Sequence, residues 1–153
     1  MRNLAKGEKE RAMTLLFGFK EKDRHYRERK GVYGVIVNKE KKVLTVKHSG
    51  LYFLPGGGVE GGETNEQCLQ REMLEEIGCE VISRTYIGHA KRYFYSRKGE
   101  PLLSDGYFYK TWISERVQEP LEDDHEICWL NVEEAKQLLF HDHHFWAVKH
   151  VLN

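Results

Sequence analysis

Short runs of β-branched and other apolar residues divide the first third of the chain. Residues 32–37 and 43–46 are two such runs, and the polar stretch 38–42 between them predicts a hairpin. A third run, residues 51–54, ends at Pro55 and the three glycines that follow it. We therefore predict three short strands in this part of the chain.

The apolar pattern then changes from strand spacing to helix spacing. Thr64 is the predicted N-cap of the helix, and Gln67, three residues later, would complete a capping box. The apolar residues of the helix lie on one side of it and are Leu69, Met73, Leu74 and Ile77. This side would pack against the rest of the protein.

Two long strand-like segments follow, at about residues 80–96 and 103–117, around a turn at 97–101. Residues 127–130 form the last predicted strand. Strands that flank a single mid-chain helix favour an α/β (α+β) fold, in which a mixed β-sheet is sandwiched between helices.

The chain closes with two segments of helical character. We predict helices near residues 132–140 and 143–152, with Asn131 and Asp142 as their N-caps. Residues 1–12 are charged and lack periodicity, so we expect a flexible N-terminal extension there. Residues 13–153 would form one domain, which suits the chain's length of 153 residues.

Charge and cysteine content narrow the range of partners. The 24 basic and 24 acidic residues cancel, so no overall field favours DNA or a membrane surface. The N-terminal residues lack an apolar signal core, and no apolar run approaches membrane length. The three cysteines are isolated in sequence, which is typical of a reducing compartment. We expect a cytoplasmic protein without a membrane partner.

Acidic residues are concentrated in two places, residues 57–79 and 119–126. On the predicted helix, Glu72, Glu75 and Glu76 fall within an arc of roughly 100°. Like charges on one face repel, so the helix gains no stability from them. A bound divalent cation such as Mg²⁺ would account for the cluster, because hard cations bind carboxylate oxygens and share them with substrate phosphates.

The same stretch resembles the Nudix box, G-x5-E-x7-R-E-U-x-E-E-x-G-U, where U is a bulky apolar residue. The chain matches every fixed position of this motif, at Gly57, Glu63, Arg71, Glu72, Glu75, Glu76 and Gly78. Met73 and Cys79 stand in the apolar positions. A chance match has a probability on the order of 10⁻⁸ per window. The chain is thus identified as similar to MutT-like Nudix hydrolases.

This resemblance implies the Nudix α/β/α fold and a reaction in which water attacks phosphorus in a nucleoside diphosphate linked to another group. It implies Mg²⁺ as the cofactor, which Mn²⁺ can replace. The implied metal ligands are Glu72, Glu75, Glu76 and a backbone carbonyl of the loop at Gly56 and Gly57. Arg71 and Glu63 would form the family's internal ion pair, which locks the loop onto the helix.

The resemblance leaves the general base open. Glu72 serves in some family members, whereas others use a glutamate from a loop beyond the box. Glu119 is our first choice in this chain, because MutT-like members place an extra metal-binding glutamate after the second long strand. The other acidic candidates in this loop are Glu122, Asp123 and Glu126.

Two further groups of residues have alternative interpretations. The histidines in residues 141–144 look like a transition-metal cluster, but we interpret them as surface and capping residues. The aromatic residues of 93–95 and 107–109 could stack on a nucleobase, or they could pack in the core and across strands. Alternation places Tyr93 and Tyr95 on one face of the strand and Phe94 on the other.

The substrate is the least determined property. A small nucleotide, most simply a nucleoside triphosphate, is the favoured substrate, and a dinucleoside polyphosphate is the alternative. The resemblance implies that members acting on ADP-ribose often carry a proline in the window past the box that holds Tyr93 and Tyr95 here, so the absence of a proline from that window disfavours ADP-ribose. A non-catalytic nucleotide-binding module would lack box glutamates, and an RNA-end hydrolase would prefer a basic track. Whether the chain forms a homodimer stays open.

Overall fold

A computed structural model describes residues 14–121 and 124–153. In chain order, the described elements are β1 (Thr14–Phe17), β2 (Arg27–Val35), β3 (Val43–His48), β4 (Leu51–Phe53), β5 (Gly56–Gly58), α1 (Asn65–Ile77), β6 (Cys79–Tyr95), β7 (Pro101–Arg116), β8 (Glu126–Leu130), α2 (Val132–Leu138) and α3 (Asp142–Leu152). None of the helices in the described part of the chain has the length and apolar character needed to cross a membrane.

The strands form two sheets rather than one. The larger sheet has five strands in the order β1-β6-β7-β2-β5 and is mixed, because β2 runs parallel to β7 while β6 runs antiparallel to it. The smaller sheet is antiparallel, with the order β4-β3-β8. The predicted mixed sheet is therefore confirmed, and the second sheet is an addition to it.

Helices cover both faces of the large sheet. The buried side of α1 packs with Val32 and Tyr109 in one apolar cluster. The buried side of α3 packs with Val35 and Phe108 in a second cluster. Because neighbouring residues of a strand point to opposite faces, Phe108 and Tyr109 belong to different cores. This arrangement confirms the predicted α/β/α sandwich.

The predicted hairpin at residues 38–42 is confirmed, but it is short. The Asn38 amide donates to the Lys42 carbonyl at 2.9 Å, and Val37 bridges Val43 in the antiparallel sense. However, β2 pairs with β7 and β5, whereas β3 pairs with β4 and β8. The chain crosses from one sheet to the other at this turn. Local sequence predicts a turn, but the partners of each strand are distant in sequence.

Several element boundaries also differ from the sequence prediction. The three glycines after Pro55 form the edge strand β5, which pairs with β2, rather than only ending a strand. The strand β1 was not predicted, and β2 begins five residues earlier than the apolar run that indicated it. The expected extension over residues 1–12 lies outside the described residues.

The helix caps give one further correction. Thr64 and Asn131 each form the capping box of their helix, which confirms both predictions. Asp142 was wrong as an N-cap, because it is the first residue of α3 and His141 occupies the cap position. His141 makes no side-chain capping hydrogen bond, since its ring is buried against neighbouring aromatic residues.

Candidate functional site

The glycine strand β5 lies directly against helix α1. Gly57 allows this approach, because a Cβ atom at this position would lie 2.6 Å from Oε1 of Glu72. The Gly57 carbonyl oxygen also lies 3.6 Å from Sγ of Cys68 on the same helix. A larger residue at position 57 would push the loop away from the carboxylates.

Arg71 joins the loop to the helix through a set of charge-assisted hydrogen bonds. Its Nε and Nη2 atoms donate to the two carboxylate oxygens of Glu63, at 2.7 and 2.9 Å. Nη2 also donates to the Gly58 carbonyl at 2.9 Å. Nη1 donates to Glu72 at 3.0 Å and to Glu75 at 3.1 Å. The arrangement therefore holds two predicted metal ligands as well as the loop.

The electrostatics of this pair keep both partners charged. The hydrogen bonds from Arg71, followed by the backbone amide of Glu60, lower the pKa of Glu63 to about 2. The same contact with Glu63 raises the pKa of the Arg71 guanidinium above its ordinary value. The ion pair between Arg71 and Glu63 is consequently present at neutral pH.

Glu76 is the most enclosed of the three helix carboxylates, with its side chain 8% exposed. Its Oε1 atom accepts a hydrogen bond from the Gly56 amide at 2.6 Å. Its Oε2 atom lies 3.3 Å from Nδ1 of His125. Glu76 therefore connects the glycine strand to the segment that precedes β8.

The loop after β7 is attached to the end of α1. Gly78 caps the helix in the left-handed conformation, and a Cβ there would lie 2.0 Å from the Gln118 carbonyl oxygen. The Val117 amide donates to Gly78, and the Leu121 amide donates to the Glu75 carbonyl. The last glycine of the box thus permits the close approach of the loop that carries Glu119.

The candidate bases occupy different environments. Glu72 is 12% exposed and contacts Arg71, whereas the Glu119 side chain is 88% exposed and lies 3.8 Å from Arg116. Glu126 is exposed and stands opposite Lys47 on β3. Glu122 and Asp123 lie outside the described residues. The structure brings Glu63, Arg71 and the three helix glutamates together and leaves Glu119 at the surface of the adjoining loop.

A cavity of about 280 Å³ opens beside the box. Glu76 and the glycines of β5 form one wall of it. The residues that line the remainder are mostly aromatic, apolar or basic and include Arg29, Lys30, Tyr33, His48, Phe53, Phe94, His125 and His141. A ligand in this cavity would therefore meet a carboxylate and main-chain groups as well as rings.

The aromatic runs divide between the core and this cavity. Tyr93 and Tyr95 both contact Tyr26, and Phe94 contacts Phe140 on the opposite face, so the predicted alternation is confirmed. Of the residues in the two runs, Phe94 is the one that lines the cavity. Phe53 also lines it but was not predicted, because it was interpreted only as part of a short strand.

The predicted surface position of the histidines in residues 141–144 was also wrong. They are buried rather than at the surface, with His143 and His144 fully enclosed. His143 meets Ser104 at 3.0 Å, and Nδ1 of His144 accepts from the Leu54 amide at 3.2 Å. Burial lowers the pKa of His141 to about 2 and that of His143 to about 3. These side chains are neutral parts of the core beneath α3.

The box residues fit a divalent cation. Glu72, Glu75 and Glu76 supply hard oxygen ligands on one helix, and the close contact at Gly57 brings the main chain of β5 to the same place. Arg71 offsets part of the negative charge. Nudix hydrolases in general use divalent metals.

The fold has close counterparts among solved structures. A MutT protein from Bacillus halodurans superposes with a TM-score of 0.65 at 21% identity, over 82% of each chain. A MutT Nudix hydrolase from Burkholderia pseudomallei superposes with a TM-score of 0.64 at 25% identity, over 82% of this chain and 98% of that one. The architecture is thus that of MutT-like proteins.

Sequence comparison reaches the same class. The profile of the NUDIX domain matches residues 27–151. An NAD-capped RNA hydrolase, NudC, of Vibrio vulnificus (strain CMCP6) is 40% identical over 75 residues, which are 46% of this chain and 29% of that protein. A Bacillus subtilis (strain 168) protein, provisionally named an 8-oxo-dGTP diphosphatase, is 32% identical over 87 residues, or 50% of this chain and 58% of that protein. The aligned part is less than a third of the NudC protein's length. The chain belongs to the Nudix family, as the box predicted.

Sequence reasoning missed several residues around the cavity. Arg29 and Lys30 belong to a charged stretch that showed no motif, and they enter the cavity through the pairing of β2 with its neighbours. His48 and His125 are far apart in sequence but adjacent across β3 and β8. Each histidine lies two residues from the end of a predicted strand, which is the one indication that the sequence offers. The sequence did not predict that these two strands pair with each other.

Proposed function

We propose that this Nudix hydrolase is a divalent-metal-dependent pyrophosphohydrolase that cleaves a phosphoanhydride bond of a nucleoside diphosphate linked to another group. The favoured substrate is a nucleoside triphosphate. The observation that carries this proposal is the cavity that is lined both by Glu76 of the box and by the rings of Phe53 and Phe94. A nucleotide requires both features, because its base is an apolar ring and its phosphates carry charge.

Mg²⁺ is the proposed cofactor, and Mn²⁺ would substitute for it. Glu72, Glu75 and Glu76 would hold it, with a backbone carbonyl of Gly56 or Gly57 as a further ligand. When bound, the ion would neutralise phosphate charge and lower the pKa of a bound water. Support comes from the donor set, which consists of carboxylate and carbonyl oxygens.

Arg71 and Glu63 have a positioning role in this proposal. Their two hydrogen bonds fix the loop relative to α1, so the carboxylates keep their places without rearrangement during the reaction. Arg29 and Lys30 line the cavity and would bind the phosphates of the substrate.

The hydrolytic step needs a base. Water forms a bond to phosphorus, the base takes a proton from that water, and the bond from phosphorus to the leaving oxygen breaks. Glu72 and Glu119 are the proposed bases. Glu72 is supported by its contacts with Arg71 and with the glycine strand. Glu119 is supported by the attachment of its loop to α1.

A pair of variants separates the two candidate bases. Glu119→Gln and Glu72→Gln are compared for the pH dependence of kcat under saturating metal. The variant that lacks the base should lose the acidic limb of the profile along with on the order of 10²-fold in rate. A metal titration of each variant distinguishes a lost base from a lost ligand. Retained rate and pH profile in the Glu119 variant would assign the role to Glu72.

The substrate is tested with a panel of purified compounds. Product formation is followed by chromatography for dGTP, 8-oxo-dGTP, a dinucleoside tetraphosphate, ADP-ribose and NADH. We expect the highest kcat/KM with a nucleoside triphosphate and the lowest with ADP-ribose. Cleavage of a dinucleoside polyphosphate with higher efficiency would support the alternative substrate, and no cleavage of any compound would support a non-catalytic nucleotide-binding module.

A second candidate is hydrolysis at the capped end of RNA, which the 40% identity to the NudC protein favours over the aligned 75 residues. The zero net charge provides no general attraction for a long strand. The direct comparison measures kcat/KM for an NAD-capped oligonucleotide and for NADH at two salt concentrations. A preference for the capped strand that weakens with salt would favour this candidate.

The remaining proposals concern the whole chain. We propose a single Nudix domain over residues 13–153, of which the profile matches 27–151. We also propose a cytoplasmic location, because the cysteines are free and two of the three, Cys68 and Cys79, are buried. A fractionation experiment with an antibody to the native protein would test the location.

A further inference from the structure

We propose that His48, Asp124 and His125 form a second metal site, beside the box, for a divalent transition metal of the Zn²⁺ class. One ligand atom from each of these side chains lies within 4.8 Å of the others. The site differs from the box because two of its three donors are imidazole nitrogens. It does not depend on the hydrolytic function proposed above.

The pairing of β3 with β8 brings the two histidines together. Lys47 stands opposite Glu126 at the end of this ladder, so the next residues outward are His48 and His125. Their ring centroids are 4.6 Å apart. His48 is the last residue of β3 and His125 directly precedes β8, so the antiparallel pairing that ends at Lys47 and Glu126 brings the two rings together.

The distances around Asp124 suit coordination. Oδ2 of Asp124 lies 3.3 Å from Nε2 of His48, and Oδ1 lies 3.9 Å from Nε2 of His125. Ligand atoms about 2.0–2.1 Å from a tetrahedral Zn²⁺ are separated from each other by roughly 3.3 Å. One pair already has this separation, and the other pairs need rotamer shifts of about 1.5 Å or less to reach it.

Glu76 completes the arrangement on the far side of His125. Nδ1 of His125 lies 3.3 Å from Oε2 of Glu76, while Nε2 faces Asp124. A histidine that binds a metal through one ring nitrogen commonly donates its other N–H to a carboxylate, which sets the tautomer and strengthens the ligand. Nδ1 of His125 makes no hydrogen bond within the described residues, but the nearby Glu76 carboxylate favours the proton on Nδ1 and leaves Nε2 for the metal.

The donor set selects against Mg²⁺. Imidazole nitrogen suits Zn²⁺, Co²⁺ and Ni²⁺, whereas Mg²⁺ prefers oxygen and octahedral geometry. His48 and His125 also line the cavity, so three protein ligands would leave a coordination position for water or for a ligand in the cavity. A metal here would be linked to the box through Glu76.

The test uses Co²⁺ as the probe, since its visible absorption reports tetrahedral nitrogen and oxygen coordination. The full chain is titrated with Co²⁺ in excess Mg²⁺, which occupies hard oxygen sites. The parent protein should bind one Co²⁺ with a tetrahedral spectrum. His48→Gln and His125→Gln should each weaken binding at least tenfold, and the matched control His25→Gln, at an exposed position, should bind as the parent does.

Circular dichroism and metal-free melts accompany each variant. If either histidine variant fails to fold, Asp124→Asn replaces it, because the Asp124 side chain is 67% exposed and its loss disturbs little packing. Absence of a tetrahedral spectrum in the parent would overturn the proposal. Equal Co²⁺ affinity in the parent and in both histidine variants would also overturn the proposal, because the ion would then bind at another site, such as the box. Because the readout is binding, failure of the proposed hydrolysis leaves it unaffected.

Discussion

Glu76 and His141 border the same cavity, yet Glu63 in the box is ionised whereas His141 and His143 are neutral. In the box, Arg71 forms ion pairs with Glu60, Glu63, Glu72 and Glu75, and its hydrogen bonds keep Glu63 ionised with a pKa of about 2. The histidine cluster under α3 is buried, and burial keeps its rings neutral. Crowding alone does not decide the charge of a group.

The difference between the two regions lies in the partners available. The box offers a guanidinium, backbone amides and solvent, each of which stabilises a carboxylate. The histidines have aromatic rings and one another as neighbours, and Arg92 nearby adds a further penalty for a second positive charge. The box therefore suits cation binding, whereas the histidine cluster suits packing.

The largest expected effect is the response to chelation. Excess chelator should abolish hydrolysis, and Mg²⁺ or Mn²⁺ should restore it, because the acidic cluster cannot approach a polyphosphate without cations. The histidine cluster needs no ion, so the fold should persist, as measured by circular dichroism. Full turnover in excess chelator would contradict the role assigned to the box.

The next effect concerns Glu76. We expect Glu76→Gln to lower kcat by on the order of 10²-fold, about 3 kcal/mol of transition-state stabilisation, because it removes a charge that the metal needs. Melts in chelator should stay close to the parent, since the glutamine oxygen can still accept from the Gly56 amide.

The matched control for this variant is Glu66→Gln, an exposed position in the first turn of the same helix. Its kcat should equal that of the parent. A Glu76→Gln enzyme within a few-fold of the parent would remove Glu76 from the metal ligands.

Acid should weaken the histidine region before the box. The folded-state pKa values of His141 and His143 lie far below the unfolded value of about 6.5, so the unfolded chain binds more protons as pH falls. The contribution of each histidine to the free energy of unfolding is complete above pH 6.5 and is lost as the pH falls toward 3. By pH 5 the loss should be about 2 kcal/mol per histidine. Urea unfolding at several pH values measures this loss.

The variant His143→Gln sharpens that measurement. It should make the free energy of unfolding less dependent on pH by about one proton between pH 7 and 5. The pKa of Glu63 is lowered from its ordinary value of 4.5 to about 2, so its contribution to stability should be lost only as the pH falls between those values. An unchanged pH dependence in the histidine variant would mean that His143 is not buried in its neutral form.

The smallest effect is the stability change from Arg71→Ala. The loss of its charge-assisted hydrogen bonds should reduce the free energy of unfolding by about 1–2 kcal/mol. Removing Glu63 as well, as Glu63→Gln, should add less than its effect in the parent, because the two act as a pair. Melts of the double-mutant cycle check this coupling, and strictly additive effects would contradict it.

Most of the box could be predicted because its geometry is local. A helix fixes the positions of Glu72, Glu75 and Glu76 from their spacing alone, and Thr64 signalled where that helix begins. The contact of Arg71 with Glu63 followed from the family resemblance and is present in the structure. The position of Glu119 could not be predicted in the same way, because its loop lacks the regular geometry of a helix or a strand.

The sequence by itself therefore determined the family, the capping boxes at Thr64 and Asn131 and the face on which the box carboxylates lie, since each depends on residues a few positions apart. Only the tertiary structure decided that the histidines of α3 are buried, that the strands divide between two sheets and that His48 meets His125. These features depend on which distant segments pack together. Such contacts are chosen by the burial of the whole chain, and no local pattern of residues records them.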